Sequence, residues 1–236
     1  MRLAVSGAIW AIVPAAGVGT RMQAGIPKQY LPLRGKLVLR HTLERLTSHP
    51  RIQGVFLGIA AGDKHSDSVT RPTLAKFMGT YTGGASRAET VLYGLQAVSA
   101  RAGADDWALV HDAVRPCVRH EDIDCLLDQA GDAGALLALP MADTVKRGDG
   151  ADFVTETVPR TGLWRALTPQ LFPVGLLARA LEQALAQGVE VTDEAAAVEH
   201  IGLRPRLVAG HPDNIKITLP SDLALADLYL RQQESA

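Results

Sequence analysis

Residues 8–30 read AIWAIVPAAGVGTRMQAGIPKQY. The first six are apolar without a break, the pattern of a strand buried on both faces of a parallel sheet. A turn of small residues follows, Pro14, Ala15, Ala16, Gly17 and Gly19 among them. Behind it stand two cations, Arg21 and Lys28, seven positions apart in a stretch without helical periodicity. Small residues let backbone N–H groups approach phosphate oxygens closely, and open α/β sheets bind ligands at the carboxyl ends of their strands. A dinucleotide fingerprint GxGxxG fails here, because Met22 holds the third glycine's place and no acidic residue lies between Leu31 and Leu43. The GxxxxGK[ST] loop is absent as well. What is left is G-x-G-T-R followed by P-K-Q, a glycine turn that presents a guanidinium and an ammonium.

Outward from this loop, strand-like and helix-like segments alternate. Strand patterns are read at 8–13, 54–60, 107–113 and 134–140, and helical patterns at 37–49, 86–103 and 121–132. A polar helix-and-loop region separates 54–60 from 86–103. Further helices are expected at 175–188, from Asp193 and from Ser221, with strands around Leu207 and Ile215. The alternation predicts an α/β fold, Rossmann-like, with three α/β/α layers and a mostly parallel sheet. The rhythm breaks at about 141–172, a turn-rich stretch with β-branched residues on either side of Gly148-Asp149-Gly150. It reads as a protruding β-arm on one domain covering 1–236. The arm's apolar residues have no helix of their own to cover them, and isologous pairing of two arms in a homodimer would do so.

Lys plus Arg number 24 and Asp plus Glu 25, a net charge of -1 that leaves no basic footprint for nucleic acid or an anionic membrane. No apolar run reaches the length of a membrane span. Residues 2–17 have the look of a short signal peptide, but the apolar part runs straight into the cationic loop without a spacer. The two cysteines, Cys117 and Cys125, form no CxxC or zinc spacing and read as free thiols of a reducing cytoplasm.

The glycine turn is one of an ordered set. PAAGVGTRM and PKQY are followed by GGASRAETV, VHDAVRP, DTVKR, RTGLWRALTPQLF, VTDEAAAVE and DNIKIT. In this order, over nearly the whole chain, they resemble the 2-C-methyl-D-erythritol 4-phosphate cytidylyltransferase family, of the sugar-nucleotide-type nucleotidyltransferases. The resemblance implies attack by a polyol phosphate on the α-phosphorus of CTP, with pyrophosphate leaving. Both reactants are anions, so such transfers depend on positioning and electrostatic stabilisation. It implies Arg21, Lys28, Arg160 and Lys216 as catalytic cations. The nucleotide is expected against Pro14, Ala15, Ala16, Gly17, Gly19, Gly83, Gly84, Arg87, Thr90, Asp112 and Ala113, with Thr90 and the glycine backbone reading the base. The acceptor is expected against Arg115, Thr144, Thr168 and Thr192. Asp112, at a strand's end, would hold Mg²⁺, a cation content with one carboxylate plus substrate phosphates. Thr144 and Arg160 would reach from the arm into the partner's site.

Several readings stay open. Arg115 binds substrate or only pairs with Asp112; Asp213 is a turn residue or orients Lys216; His111 reads as a packed neighbour rather than a base. Ala85 and Ser86 stand where the family often has an acidic residue, and Thr90 where it often has serine, which bears on base selectivity. Ribitol 5-phosphate is the alternative acceptor. Two readings from other classes are a non-catalytic nucleotide sensor and a serine hydrolase built on Ser86, Asp193 and His211, where GASRA nearly matches the G-x-S-x-G elbow. No second catalytic domain is expected after Ala236.

Overall fold

The computed structural model describes residues 5–17, 26–70 and 74–235. In chain order its strands are β1 (Ile9–Pro14), β2 (Pro32–Leu33), β3 (Lys36–Leu37), β4 (Ile52–Ile59), β5 (Phe77–Thr82), β6 (Trp107–Val110), β7 (Ala135–Pro140), β8 (Val145–Gly148), β9 (Val154–Val158), β10 (Trp164–Pro173) and β11 (Arg206–Ala209). The helices are α1 (Val38–Ser48), α2 (Ser66–Thr70), α3 (Arg87–Ser99), α4 (His120–Gln129), α5 (Val174–Ala186), α6 (Glu194–His200) and α7 (Pro220–Glu234).

Seven strands make the central sheet in the order β11-β7-β10-β6-β1-β4-β5. The pairs β1–β4, β1–β6, β4–β5 and β7–β11 are parallel; β10 runs antiparallel to both of its neighbours. β1 is buried on both faces, as its unbroken apolar run demands. Its alternate side chains feed two cores. Ile9, Ala11 and Val13 pack with Leu39, Leu43 and Leu46 of α1 and Ile123, Leu126 and Leu127 of α4. Trp10 and Ile12 face Val91 and Leu95 of α3, Leu177 and Leu181 of α5 and Val198 of α6. These two helical layers on one sheet are the expected three-layer α/β/α arrangement. A third, smaller cluster seats α7 through Ala226 and Leu230 against Leu31, Leu33, Val114 and Ile217.

Four expectations are revised. Residues 164–172, read as the end of the arm, belong to β10, which returns into the sheet between β7 and β6. The arm itself is reduced to the β8–β9 hairpin. β5 occupies part of the stretch read as helix and loop; as an edge strand it is only partly buried, and FMGTYT lacks the apolar run that flags a central strand. Around Ile215 there is no strand: the chain is tied by one backbone bond, Ile217 N–H to Val114 C=O at 2.9 Å. Helix α3 ends at Ser99 rather than at Gly103.

The order of the sheet places the site. The chain leaves β1 through α1 to β4 on one side, and after β5 it crosses by α3 to β6 on the other side of β1. The crevice at the carboxyl ends of β1 and β6 is therefore the topological switch point, where open α/β sheets bind ligands.

Candidate active site

Two loops leave that crevice. The first follows Pro14, where Ala15 N–H still bonds Gly58 C=O at 2.7 Å. Beyond it the loop is held from below by Gln29, which is 4% exposed and donates its amide to Ala15 C=O at 2.9 Å and Gly17 C=O at 3.3 Å. Gln29 sits in a single 3-10 turn, Lys28–Tyr30. Tyr30 is also buried, and its hydroxyl donates to Asp63 at 2.7 Å. With its two neighbours anchored inward, Lys28 lines a cavity of about 270 Å³ together with Pro14, Ala15, Ala16, Gly17 and Ala113. The cavity also meets Gly84, Arg87, Thr90, Asp112 and Lys216. A Cβ on Gly17 would meet none of the described residues within 4 Å. Gly19 and Arg21 fall in 18–25, outside the described residues.

The far wall comes from the turn before α3. A Cβ on Gly83 would lie 2.5 Å from Ala16 Cβ and 2.8 Å from Thr90 Oγ1, so this glycine exists to let the two loops touch. Thr90 is buried; its hydroxyl accepts from Gly84 N–H at 3.1 Å and donates to Ser86 C=O at 2.9 Å. Its proton is committed to the turn, so toward a base it can only accept. Ser86 is the N-cap of α3 in a capping box with Glu89.

The second loop carries Asp112, 6% exposed, two residues past the end of β6. One carboxylate oxygen meets Arg87 at 3.1 Å; the other meets Lys216 at 3.0 Å and Arg115 at 3.3 Å. Burial alone would raise this carboxyl, but Arg87, Lys216 and Arg115 outweigh it and hold the group well below the usual carboxylate range. Asp112 N–H donates to Thr168 Oγ1 at 3.0 Å, and Thr168 Oγ1 lies 3.0 Å from His111 Nδ1. His111 is fully buried, with Nε2 at 3.1 Å from Arg115 C=O. That carbonyl can only accept, so the network assigns the proton to Nε2, and the Thr168 hydroxyl donates to Nδ1. Burial pushes this imidazole down to about 4, which leaves it neutral and packed, as the sequence suggested.

Arg87 forks onto Glu194 at 2.5 and 3.2 Å while also reaching Asp112. Glu194 is 1% exposed; burial pushes its carboxyl up and Arg87 only partly opposes that. The sequence reading missed Glu194 and Gln29. In sequence alone Glu194 is one acidic residue at the start of a helix in VTDEAAAVE and Gln29 one polar residue of PKQ, with no local signal to mark either.

A second cavity, about 250 Å³, shares Arg87, Asp112 and Lys216 with the first and adds Arg115, Thr168, Gln170, Thr192 and Asp193. Asp112 and its cations thus form the partition between two compartments. Arg115 does pair with Asp112, and donates to Asn214 C=O at 2.7 Å, while still lining the second cavity. Asp213 does not orient Lys216: it takes Arg119 at 2.6 Å and Gln233 at 2.9 Å. Thr144 and Arg160 are exposed on the arm and line neither cavity; the Arg160 guanidinium donates to Ala142 C=O. The hydrolase triad is not assembled. Asp193 caps α6 and accepts from Gln170, and His211 bonds Asp122 at 2.7 Å.

Among the described residues no three His, Cys, Asp or Glu side chains converge on a point fit for a metal. Asp112 fits a different mode. It is an ionised carboxylate at the junction of both cavities, which suits a cation whose other ligands are substrate phosphates.

The family model described as IspD, 2-C-methyl-D-erythritol 4-phosphate cytidylyltransferase, matches residues 9–232. A Shewanella amazonensis protein of that name is 51% identical over 234 residues, covering 97% of this chain and 96% of its own. A crystal structure of 4-diphosphocytidyl-2C-methyl-D-erythritol synthase superimposes with a TM-score of 0.82 at 37% identity, covering 95% of this chain and 99% of the other. The Francisella tularensis 2-C-methyl-D-erythritol 4-phosphate cytidylyltransferase gives 0.81 at 33% identity, covering 94% and 99%.

Proposed function

The chain belongs to the 2-C-methyl-D-erythritol 4-phosphate cytidylyltransferase family, and from that premise we infer how its own residues perform the transfer. The enzyme transfers CMP from CTP to 2-C-methyl-D-erythritol 4-phosphate, giving 4-diphosphocytidyl-2-C-methyl-D-erythritol and pyrophosphate. Ribitol 5-phosphate is not the favoured acceptor, since the relatives are named for the methylerythritol substrate.

The observation that carries the assignment of roles is the partition: Asp112, Arg87 and Lys216 border both cavities. The first cavity takes CTP, its triphosphate along the Gly17 turn and Lys28, its base toward Gly83, Gly84 and Thr90. The second takes the polyol phosphate, against Arg115, Thr168 and Thr192. The acceptor phosphate then meets the α-phosphorus across the partition, with its oxygen attacking in line and pyrophosphate departing on the Lys28 side. No general base is required, because the attacking phosphate is already ionised at neutral pH, and neutral His111 only holds Thr168 and the Asp112 loop. Lys28 and Lys216 stabilise charge that builds on the transferring phosphoryl group; Arg21, outside the described residues, is given the same role by the family resemblance. Asp112 is the residue to hold Mg²⁺ with the triphosphate oxygens, and a bound Mg²⁺ would neutralise charge on those phosphates.

The homodimer is part of the same proposal. Phe153 and Val154 at the arm's tip are 72% and 63% exposed, an apolar surface that a second arm would cover. Thr144 and Arg160, remote from their own subunit's cavities, would complete the partner's acceptor site. The two free thiols fit a cytoplasmic enzyme. The test is pyrophosphate release from CTP with each acceptor in turn. Methylerythritol phosphate should be preferred in kcat/KM, and Lys28→Ala should lower kcat by about 10² to 10³ while CTP binding changes little. Turnover unaffected by Lys28→Ala would refute the role, and sedimentation as a monomer would refute the shared site.

A further inference from the structure

The cations around Asp112 have roles; one arginine beside them has none. Arg165 stands on β10 in register with Leu139 of β7, next to Trp164 at the root of the arm. It is exposed and, among the described residues, has no hydrogen-bond or ion-pair partner. It is not solitary, however. It lines a depression of about 340 Å³ with Arg115, Lys216 and Thr218. Arg115 and Lys216 also line the acceptor cavity, as do Ala166 and Leu167, so the depression continues that cavity toward the arm.

The charges there do not balance. Three cations share the depression with one carboxylate, Asp222. Asp222 is turned to its own helix start, where one oxygen accepts from Thr218 N–H, Thr218 O–H and Leu219 N–H at 2.8 to 2.9 Å. Burial lowers the proton affinity of Arg115, and the neighbouring charges of Arg87 and Arg165 lower it further against the pull of Asp112. Arg115 and Lys216 are already paired with Asp112, so the cation left without a counterion among the described residues is Arg165, and such a cation favours an anion. A guanidinium without a protein partner is free to fork onto two phosphate oxygens.

We propose that Arg165 is a further acceptor-binding residue, gripping the acceptor's phosphate monoester in the same subunit together with Arg115 and Lys216. The inference rests on the reading that the second cavity takes a polyol phosphate. It adds to that site a cation from the subunit's own β10, in contrast to Arg160, which is assigned to the partner.

The experiment measures pyrophosphate release with each substrate varied at saturation of the other, for the native chain and for Arg165→Ala, Arg165→Lys and Arg179→Ala. Arg179 is an exposed arginine on α5, remote from these cavities, and controls for loss of surface charge. Arg165→Ala should raise KM for methylerythritol phosphate about 10- to 100-fold, in keeping with a hydrogen bond to a charged group, and leave KM for CTP within about twofold. Arg165→Lys should recover part of the loss, and Arg179→Ala should match the native chain. An acceptor KM within about twofold in Arg165→Ala, or an equal rise in both KM values, overturns the proposal. Should the native chain release no pyrophosphate with this acceptor, the functional reading fails instead. Calorimetric titration with inorganic phosphate then decides Arg165 alone: weaker binding in Arg165→Ala supports it, and equal binding overturns it.

Discussion

Replacing Arg87 with methionine keeps most of the side chain's volume and removes its charge. In the native chain this guanidinium stands between Glu194 and Asp112, both of which are almost wholly buried. Breaking a buried pair by deleting one partner costs about 3–5 kcal/mol, because the other charge is left without compensation. Asp112 keeps Lys216 and Arg115, so the deficit falls on Glu194, which among the described residues is ion-paired with Arg87 alone. Burial already raises the Glu194 carboxyl above its ordinary value. Without Arg87 it rises further. A carboxyl whose folded pKa lies above its unfolded value stabilises the fold below the unfolded pKa, and that contribution is lost as pH climbs through the folded one. The deficit of Arg87→Met should therefore be largest near pH 8 and shrink toward pH 5, by about 1.4 kcal/mol per unit of added pKa rise. Urea denaturation of both proteins at pH 8, 6.5 and 5 measures it. A pH-independent difference below about 1 kcal/mol would refute the reasoning, for it would mean that Glu194 does not depend on this cation.

Two further outcomes follow from the same region. Gly83→Ala should push the loop after β5 off Ala16, costing about 1–3 kcal/mol of stability by overpacking and raising KM for CTP, as thermal melting and kinetics would show; a variant with unchanged melting and KM would mean the loops part freely. His111 is neutral when buried, with its imidazole pushed down to about 4, so its stabilisation is full above about pH 6.5 and is lost as pH falls toward 4. That is about 2 kcal/mol between pH 6.5 and 5, and His111→Asn should flatten this part of the stability curve.

The central sheet and the glycine-turn wall of the first cavity were legible because both are local in sequence. An unbroken apolar hexamer ending in Val13 and a glycine turn need no distant partner to be recognised. Asp112 was likewise found from its place at a strand's end. What escaped depends on tertiary contact. Glu194 reads as helix-start chemistry until α3 delivers Arg87 to it, and Gln29 is an ordinary amide until the chain folds under Ala15. β10 was mistaken for arm because its first three residues are exposed and the next six buried, a mixed pattern that matches neither strand template. Thr90 and Thr168 line the two cavities, yet their hydroxyls serve the loops that carry Gly84 and Asp112.

β10 spans the whole distance from the arm to the middle of the sheet. Trp164 and Arg165 at one end pair with Pro140 and Leu139, and Gln170 to Pro173 at the other pair with β6. The ladder to β7 is interrupted between Ala166 and Gln170, and in that gap Thr168 reaches over to hold the Asp112 backbone. Arm and reaction centre are thus two ends of one lever with its pivot at the gap. Were a second subunit to clasp the arm, as proposed, a displacement there would have only a few peptide units to travel before reaching the Asp112 backbone.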